Sequence, residues 1–238
     1  MKNINPSIIL VRPQLPENIG MTARVMDNFG LSKLYVVNPR DGWPSKMAEN
    51  SAKHGINIIK KTKNFTSLNE AVSKFNLVIA TTNRKRFLTK TTYNNFFDLK
   101  KKIINFNNTA ILFGPENSGL SNQDLRLTNY IFTIKTDSLN KSLNLSHAVS
   151  VISYELFNLK KVNSNYTDNH ELANNLELSN FMNALIKDLD SKSFFNPKEK
   201  KESMIDNIYS IYNKMHLSKK ELRMLWGIHK KLINLPKL

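Results

Sequence analysis

The 238-residue sequence contains no cysteine. That excludes disulfides, thiolate nucleophiles and cysteine-ligated zinc or iron–sulfur centres, and it suits a reducing compartment. Long hydrophobic runs are missing too. Leu77-Val78-Ile79-Ala80 is among the longest, far below the ~20 residues of a membrane helix. The segment Met1-Lys2-Asn3-Ile4-Asn5-Pro6 lacks the apolar stretch of a signal peptide. A soluble, cytoplasmic protein without membrane contact is expected. The five histidines, His54, His147, His170, His216 and His229, show no metal-ligand spacing such as HExxH, and no carboxylate pair marks a glycosidase-type site. No metal is expected. Neither GK[ST] nor GxGxxG occurs, which argues against a nucleoside triphosphate or a nicotinamide dinucleotide.

What is present bounds the answer further. Hydrophobic residues make up 40%, so a sizeable core can form in one large domain or in a medium domain with an appendage. The formal charge is +16, a level that favours polyanionic partners through counterion release. Of the 35 basic residues 28 are lysine, and asparagine occurs 33 times. An AT-rich coding sequence produces the same bias, so the charge alone does not decide for nucleic acid. Residues 1–159 hold 21 basic and 10 acidic side chains, against 14 and 9 in residues 160–238. The first segment is where a binding surface should lie.

Short β-branched runs recur through the first two thirds: Ser7–Val11, Leu34–Val37, Ile56–Ile59, Leu77–Thr81, Thr109–Phe113 and Tyr130–Ile134. Several are apolar on both faces, as in strands of a parallel sheet covered on each side. Helical stripes lie between them. Ile19, Ala23, Met26 and Phe29 form one, closed by Gly30; it leaves Gly20, Arg24, Asp27 and Asn28 on one polar face. Leu68, Ala71, Val72 and Phe75 form a second. Leu145, Val149, Ile152 and Leu156 form a third, with Asn144 as candidate N-cap. Alternating β and α segments predict a doubly wound α/β domain over residues 1–160. Residues 161–170 read as a polar linker. Residues 171–238 read as helices only: Leu172, Leu176, Phe181, Leu185 and Leu189; then Met204, Ile208, Ile211, Tyr212 and Met215; then Leu222, Leu225, Trp226, Ile228, His229 and Leu232. Ser218 and Glu221 form a candidate capping box for the last.

Glycine is scarce, at 7 residues, so its positions are informative. Gly114 and Gly119 bracket Phe113-Gly114-Pro115-Glu116-Asn117-Ser118-Gly119-Leu120, directly after a strand and before a helix. Ligands of open α/β sheets bind beyond the carboxyl ends of strands, and a plain β-to-α turn fits the same spacing. A second candidate is Asn18-Ile19-Gly20 with Arg24, on the first helix near the end of the first strand. An exposed Arg24 paired with Asp27 is its bland alternative. A third is Lys141-Ser142-Leu143-Asn144-Leu145-Ser146, which also reads as simple capping. A fourth is the basic loop Thr81-Thr82-Asn83-Arg84-Lys85-Arg86, placed for phosphate contacts.

In this order these segments resemble the three signature motifs of the TrmH family of SPOUT RNA methyltransferases. Asn18-Ile19-Gly20 with Arg24 resembles the first, Phe113–Leu120 the second, and Ser142–Ser146 with its following helix the third. The match covers about residues 6–160. The helical tail is similar to that of the TrmJ branch, on Met204, Leu217-Ser218, Glu221 and Leu225-Trp226-Gly227. The resemblance implies a SPOUT-type parallel sheet whose C-terminal part, about residues 109–160, ties a trefoil knot. It implies S-adenosyl-L-methionine as cofactor, bound by Thr81, Thr82, Asn83, Gly114, Glu116, Gly119, Ile134, Ser142, Leu143 and Asn144. It further implies a homodimer with the site at the subunit interface, so that Arg24 of one subunit faces the cofactor of the other.

The implied reaction is attack of a ribose 2′-oxygen on the sulfonium methyl. Arg24 would bind the phosphate and orient or deprotonate the hydroxyl, Asn18 would support it, and Glu116, Ser142 and Asn144 would complete the catalytic set. Arg12, Arg24, Arg84, Lys85 and Arg86 are the candidate RNA contacts. Arg12 and the segment Ala48–Gly55 depart from the family pattern without removing a motif residue. The implied substrate is tRNA at anticodon-loop nucleotide 32. Ribosomal RNA is the alternative substrate, and a catalytically silent RNA-binding protein is the non-enzymatic alternative.

Overall fold

The computed structural model describes residues 5–84, 90–106, 108–137, 139, 142–159 and 171–233. The linker 161–170, Lys85, Arg86 and Lys141 lie outside them.

Seven parallel strands form one sheet. They are β1 (Ser7–Val11), β2 (Leu34–Val37), β3 (Lys63–Phe65), β4 (Leu77–Thr81), β5 (Thr92–Tyr93), β6 (Thr109–Phe113) and β7 (Tyr130–Phe132), in the order β3-β2-β1-β6-β4-β7-β5. The central strands are apolar at consecutive positions because both faces are covered. Ile8 and Leu10 of β1 join one core cluster, Ile9 and Val11 the other.

Helices α1 (Pro16–Asn28), α2 (Lys46–Ala52), α3 (Ile56–Lys61), α5 (Phe96–Asn105) and α7 (Leu145–Leu159) cover the first face. Helices α4 (Leu68–Val72) and α6 (Asn122–Arg126) cover the second. Pro16 opens α1 at a position where its missing N–H costs nothing. The side chains of Ser45 and Ser67 accept from the backbone of Ala48 and Glu70 to start α2 and α4. The predicted stripe Leu145, Val149, Ile152, Leu156 is buried throughout, as are Ile19, Ala23 and Met26 of the first stripe, whose Phe29 is half-buried.

Three expectations need correction. The run Ile56–Ile59 is helix α3, not a strand. Ile58 and Ile59 are buried side by side while Asn57 is exposed, a helical pattern that four residues are too few to separate from a strand. The strand is the next segment, β3, an edge strand whose Lys63 and Asn64 are exposed, so it carries no apolar run. Gly20 is not on the polar face of α1. It is buried where α2 crosses, and a Cβ there would lie 2.1 Å from the Ala48 carbonyl oxygen. Only glycine permits that approach.

The tail consists of α8 (Asn175–Ser191), α9 (Lys201–Met215) and α10 (Lys219–Ile233). Its core holds Phe181, Met182, Leu217 and Leu222, with Trp226 packed against them. Ser218 and Glu221 exchange hydrogen bonds at the start of α10, 2.7 and 3.2 Å. The third correction concerns α9. Ile211 and Met215 are exposed, as are Leu176 of α8 and Ile228 and Leu232 of α10, whereas Ile205, Asp206, Ser210 and Asn213 of α9 are buried. This helix has a polar buried face because it docks on polar backbone of the α/β body. Docking occurs at the amino-terminal ends of β4 and β7. The Asn175 N–H donates to the Phe75 carbonyl (2.9 Å) and the Asn76 side chain to the carbonyls of Leu172 and Ala173 (3.1 and 3.2 Å).

Candidate active site

The opposite, carboxyl ends of β4, β6 and β7 surround a cavity of about 320 Å³, bordered by Ser142 and Leu143 just before α7. Thr81, Thr82 and Asn83 leave β4 and form one wall. Gly114, Glu116 and Gly119 leave β6 and form the second. Ile134 follows β7, and Ser142 and Leu143 precede α7. The loop after β6 folds tightly on itself. Gly119 N–H donates to the Pro115 carbonyl at 2.8 Å, and a Cβ on Gly114 would lie 2.4 Å from the Leu120 nitrogen. Position 114 therefore admits no side chain.

Glu116 joins the three candidate motifs. Its Oε1 accepts from Asn18 Nδ2 at 2.6 Å and its Oε2 from the Gln14 N–H at 2.8 Å. Asn18 Oδ1 accepts in turn from Asn144 Nδ2 at 3.1 Å. Asn144 Oδ1 accepts from the Ser146 N–H (2.9 Å) and hydroxyl (2.8 Å), capping α7. Asn18 is 1% exposed. The buried amide is held between an acceptor and a donor, so each of its ends has one permitted partner. Asn144 is exposed and follows the lining residues Ser142 and Leu143 without itself lining the cavity.

The remaining walls interlock. Thr133 Oγ1 donates to the Thr82 carbonyl at 2.9 Å and Asn83 Nδ2 to Thr136 Oγ1 at 3.4 Å. Arg84 reaches from the β4 loop to the Asn117 carbonyl and lines the cavity. Expected as an RNA contact, it is exposed and bridges two cavity loops. Arg12 pairs with Asp124 of α6. Its backbone, at φ 49°, occupies the left-handed region, a strained conformation for a residue with a side chain. Arg24 lies on α1 outside the cavity. It is exposed and makes no hydrogen bond or ion pair among the described residues; the pairing with Asp27 does not occur. Arg40 is held above its ordinary pKa by its hydrogen bond to Asp41, with Glu116 and Glu17 adding to the field.

Sequence reading missed the cavity's apolar floor. Phe113, Leu145 and Ala148 line it, but periodicity assigned Phe113 and Leu145 to strand and helix cores and gave Ala148 no role. Thr136 also lines it, two residues past Ile134; spacing gave no signal for it. Among the described residues no cluster of His, Asp and Glu can hold a metal ion.

Parallel strands with a ligand-sized cavity at their carboxyl ends define an α/β protein of the ligand-binding kind. Comparison with known proteins makes the class specific. Residues 5–154 match the model of the SpoU rRNA methylase family, and the chain belongs to that family. Within it the chain is TrmJ-like over nearly its whole length. It is 29% identical over 241 residues to a tRNA (cytidine/uridine/adenosine-2′-O-)-methyltransferase TrmJ of Pseudomonas aeruginosa, covering 93% of this chain and 91% of that one. It is 34% identical over 166 residues to a tRNA (cytidine-2′-O-)-methyltransferase TrmJ of Methanocaldococcus jannaschii, covering 68% and 71%. The crystal structure of TrmJ from Z. mobilis superposes with a TM-score of 0.86 at 35% identity, covering 95% of this chain and 98% of that one.

Proposed function

We propose that the protein transfers a methyl group from S-adenosyl-L-methionine to a ribose 2′-oxygen of tRNA, acting as a cytoplasmic homodimer. The observation that carries this is the cavity in which the three motif segments are tied through Glu116, Asn18 and Asn144.

The residues present suit the cofactor. The cavity volume falls in the ~300–1,000 Å³ range of small-molecule sites. Phe113, Ile134, Leu143 and Ala148 offer apolar surface to an adenine ring and a thioether chain. Thr81 Oγ1 is buried and lacks a hydrogen-bond partner among the described residues, as expected of a wall built for a polar ligand. When bound, the cofactor supplies a methyl activated by a positive sulfur. The protein's part is then alignment and handling of one proton. The Glu116–Asn18–Asn144 chain holds the cavity loops and α1 in one register. Among the described residues the Arg24 side chain is exposed and has no hydrogen-bond or ion-pair partner, which leaves it available to take an RNA phosphate and orient the 2′-hydroxyl.

Arg24 does not line the cavity of its own chain, so its role requires a second copy. Exposed apolar side chains suit such an interface: Met21 on α1, Met47 on α2, Val151 and Tyr154 on α7. The relatives named above as tRNA 2′-O-methyltransferases favour tRNA over ribosomal RNA, and nucleotide 32 is the position we assign. Labelled S-adenosylmethionine with unmodified tRNA tests the reading. The wild type methylates tRNA in preference to ribosomal RNA fragments, at a ribose of nucleotide 32. Arg24→Ala binds the cofactor but transfers nothing. Full transfer by Arg24→Ala would overturn the mechanism, and RNA retention without any transfer would favour a silent binding protein.

A further inference from the structure

Helix α6 has five residues, and its two ends are held by different parts of the molecule. At its amino end the Ser121 N–H donates to Asp124 Oδ2 (2.7 Å) and the Asp124 N–H to Ser121 Oγ (3.1 Å). The same carboxylate oxygen takes the Arg12 guanidinium from the end of β1. Leu120, just before, is fully buried. This end is the foot of the cavity loop that carries Glu116.

At the carboxyl end the tail takes over. Arg126 pairs through Nε with Asp206 and through Nη2 with Glu202, both on α9. The Arg126 carbonyl accepts from Asn213 Nδ2 at 2.8 Å, and the Leu127 carbonyl from Asn175 Nδ2 at 3.0 Å. Asn129 Oδ1 accepts from the Val78 N–H (2.7 Å) while its Nδ2 donates to the Asn213 carbonyl (3.1 Å). These are directional contacts to residues 126, 127 and 129, where α6 leads into β7. The tail's own apolar cluster stays within the tail. Simple adhesion would need apolar burial, whereas directional bonds set orientation. The side chains of Arg126 and Asp206 are only 16% and 10% exposed, so removing either leaves a largely desolvated charge unpaired.

We propose that Arg126 is a positioning residue for the cavity loop. Through α6, the tail sets the position of residues 114–121 and with them Glu116. The proposal rests on the reading of that cavity as the S-adenosylmethionine site.

Arg126→Met and Asp206→Asn in the full-length protein test it by two readouts. The first is hydrogen exchange of backbone amides 116–121 without cofactor. The second is calorimetric affinity for S-adenosylmethionine, with KM and kcat for transfer. Exchange at 116–121 rises in both variants while amides of α10 keep wild-type protection. Cofactor affinity falls about tenfold, KM rises with it, and kcat stays within about twofold. Arg126→Lys, which keeps the charge but loses the fork, recovers part of the affinity. Should Arg126→Met fail to fold, Asp206→Asn and Glu202→Gln give the same measurements. Wild-type exchange at 116–121 together with wild-type cofactor affinity overturns the proposal, whatever the melting temperature does. A wild-type protein that binds no S-adenosylmethionine defeats the function assigned to the cavity, while the exchange data still decide whether the tail sets the loop.

Discussion

Glu116→Gln changes one atom type at the centre of the candidate site, and its cost can be worked from the contacts. The carboxylate accepts from two donors, the Gln14 N–H and Asn18 Nδ2. Glutamine has one carbonyl oxygen and one amide nitrogen. Only one donor can be satisfied, and the other then faces an NH₂ group. Rotating Asn18 does not help, because its nitrogen would then face Asn144 Nδ2, which now donates to it. One charge-assisted hydrogen bond is lost and one donor is left unpaired. Each such loss costs ~1.5–3 kcal/mol when buried. With Glu116 only half-buried, we expect about 2 kcal/mol, or roughly thirtyfold in an equilibrium that needs the loop in place. Urea denaturation and calorimetric titration with S-adenosylmethionine read the two consequences. Asn18→Ala combined with Glu116→Gln should cost less than the two singly, since both break one network. Wild-type stability and affinity in Glu116→Gln, each within about twofold, would refute this account of the site.

Other expectations follow from single positions. Gly114→Ala forces a Cβ to 2.4 Å from the Leu120 nitrogen, which backbone cannot accommodate in place. Cofactor binding drops below detection by calorimetry, and a variant binding normally would show that the loop is slack. Stability should also depend on pH in a set direction. Burial lowers Lys90 to about 7 and His216 to about 4, and raises Tyr130 to about 12. Between the lowered value and its ordinary one, each of Lys90 and His216 binds its proton only in the unfolded chain. Stability therefore rises with pH from about 4 to 6.5 through His216 and from about 7 to 10.5 through Lys90. Above pH 10 Tyr130 reverses the trend, because the unfolded tyrosine loses its proton first. Denaturant midpoints across this range check the shape, and Lys90→Met flattens the rise above pH 7. A curve that falls between pH 7 and 9 contradicts the assignment.

The central strands and the helices with clean stripes were legible because burial on two faces or on one leaves a simple pattern. β3 and β5 were not, having three and two residues and lying at the sheet's edges. The motif segments were legible as polar, glycine-bearing strand ends. Their joining through Asn18 was not, because the Gln14–Asn18 segment, Glu116 and Asn144 are far apart in sequence and only the sheet order brings them together. The same applies to Arg84, a basic loop residue by sequence and a cross-loop tie in space. The polar buried face of α9 escaped because periodicity arguments seek apolar faces, and Asp206 and Asn213 answer to carbonyls and a guanidinium on the other part of the chain.

The central position of β6 bears on how the protein is made. Ser7 pairs with Ala110 and Leu10 with Phe113, so β1 has no neighbour on that side until the ribosome has delivered Thr109–Phe113. Up to that moment the nascent chain presents an unpaired edge of five residues that are all buried in the finished protein, the kind of edge on which chains aggregate. Slowing synthesis between β1 and β6 therefore lengthens the time that edge stays open, an exposure that the stability of the finished fold does nothing to shorten.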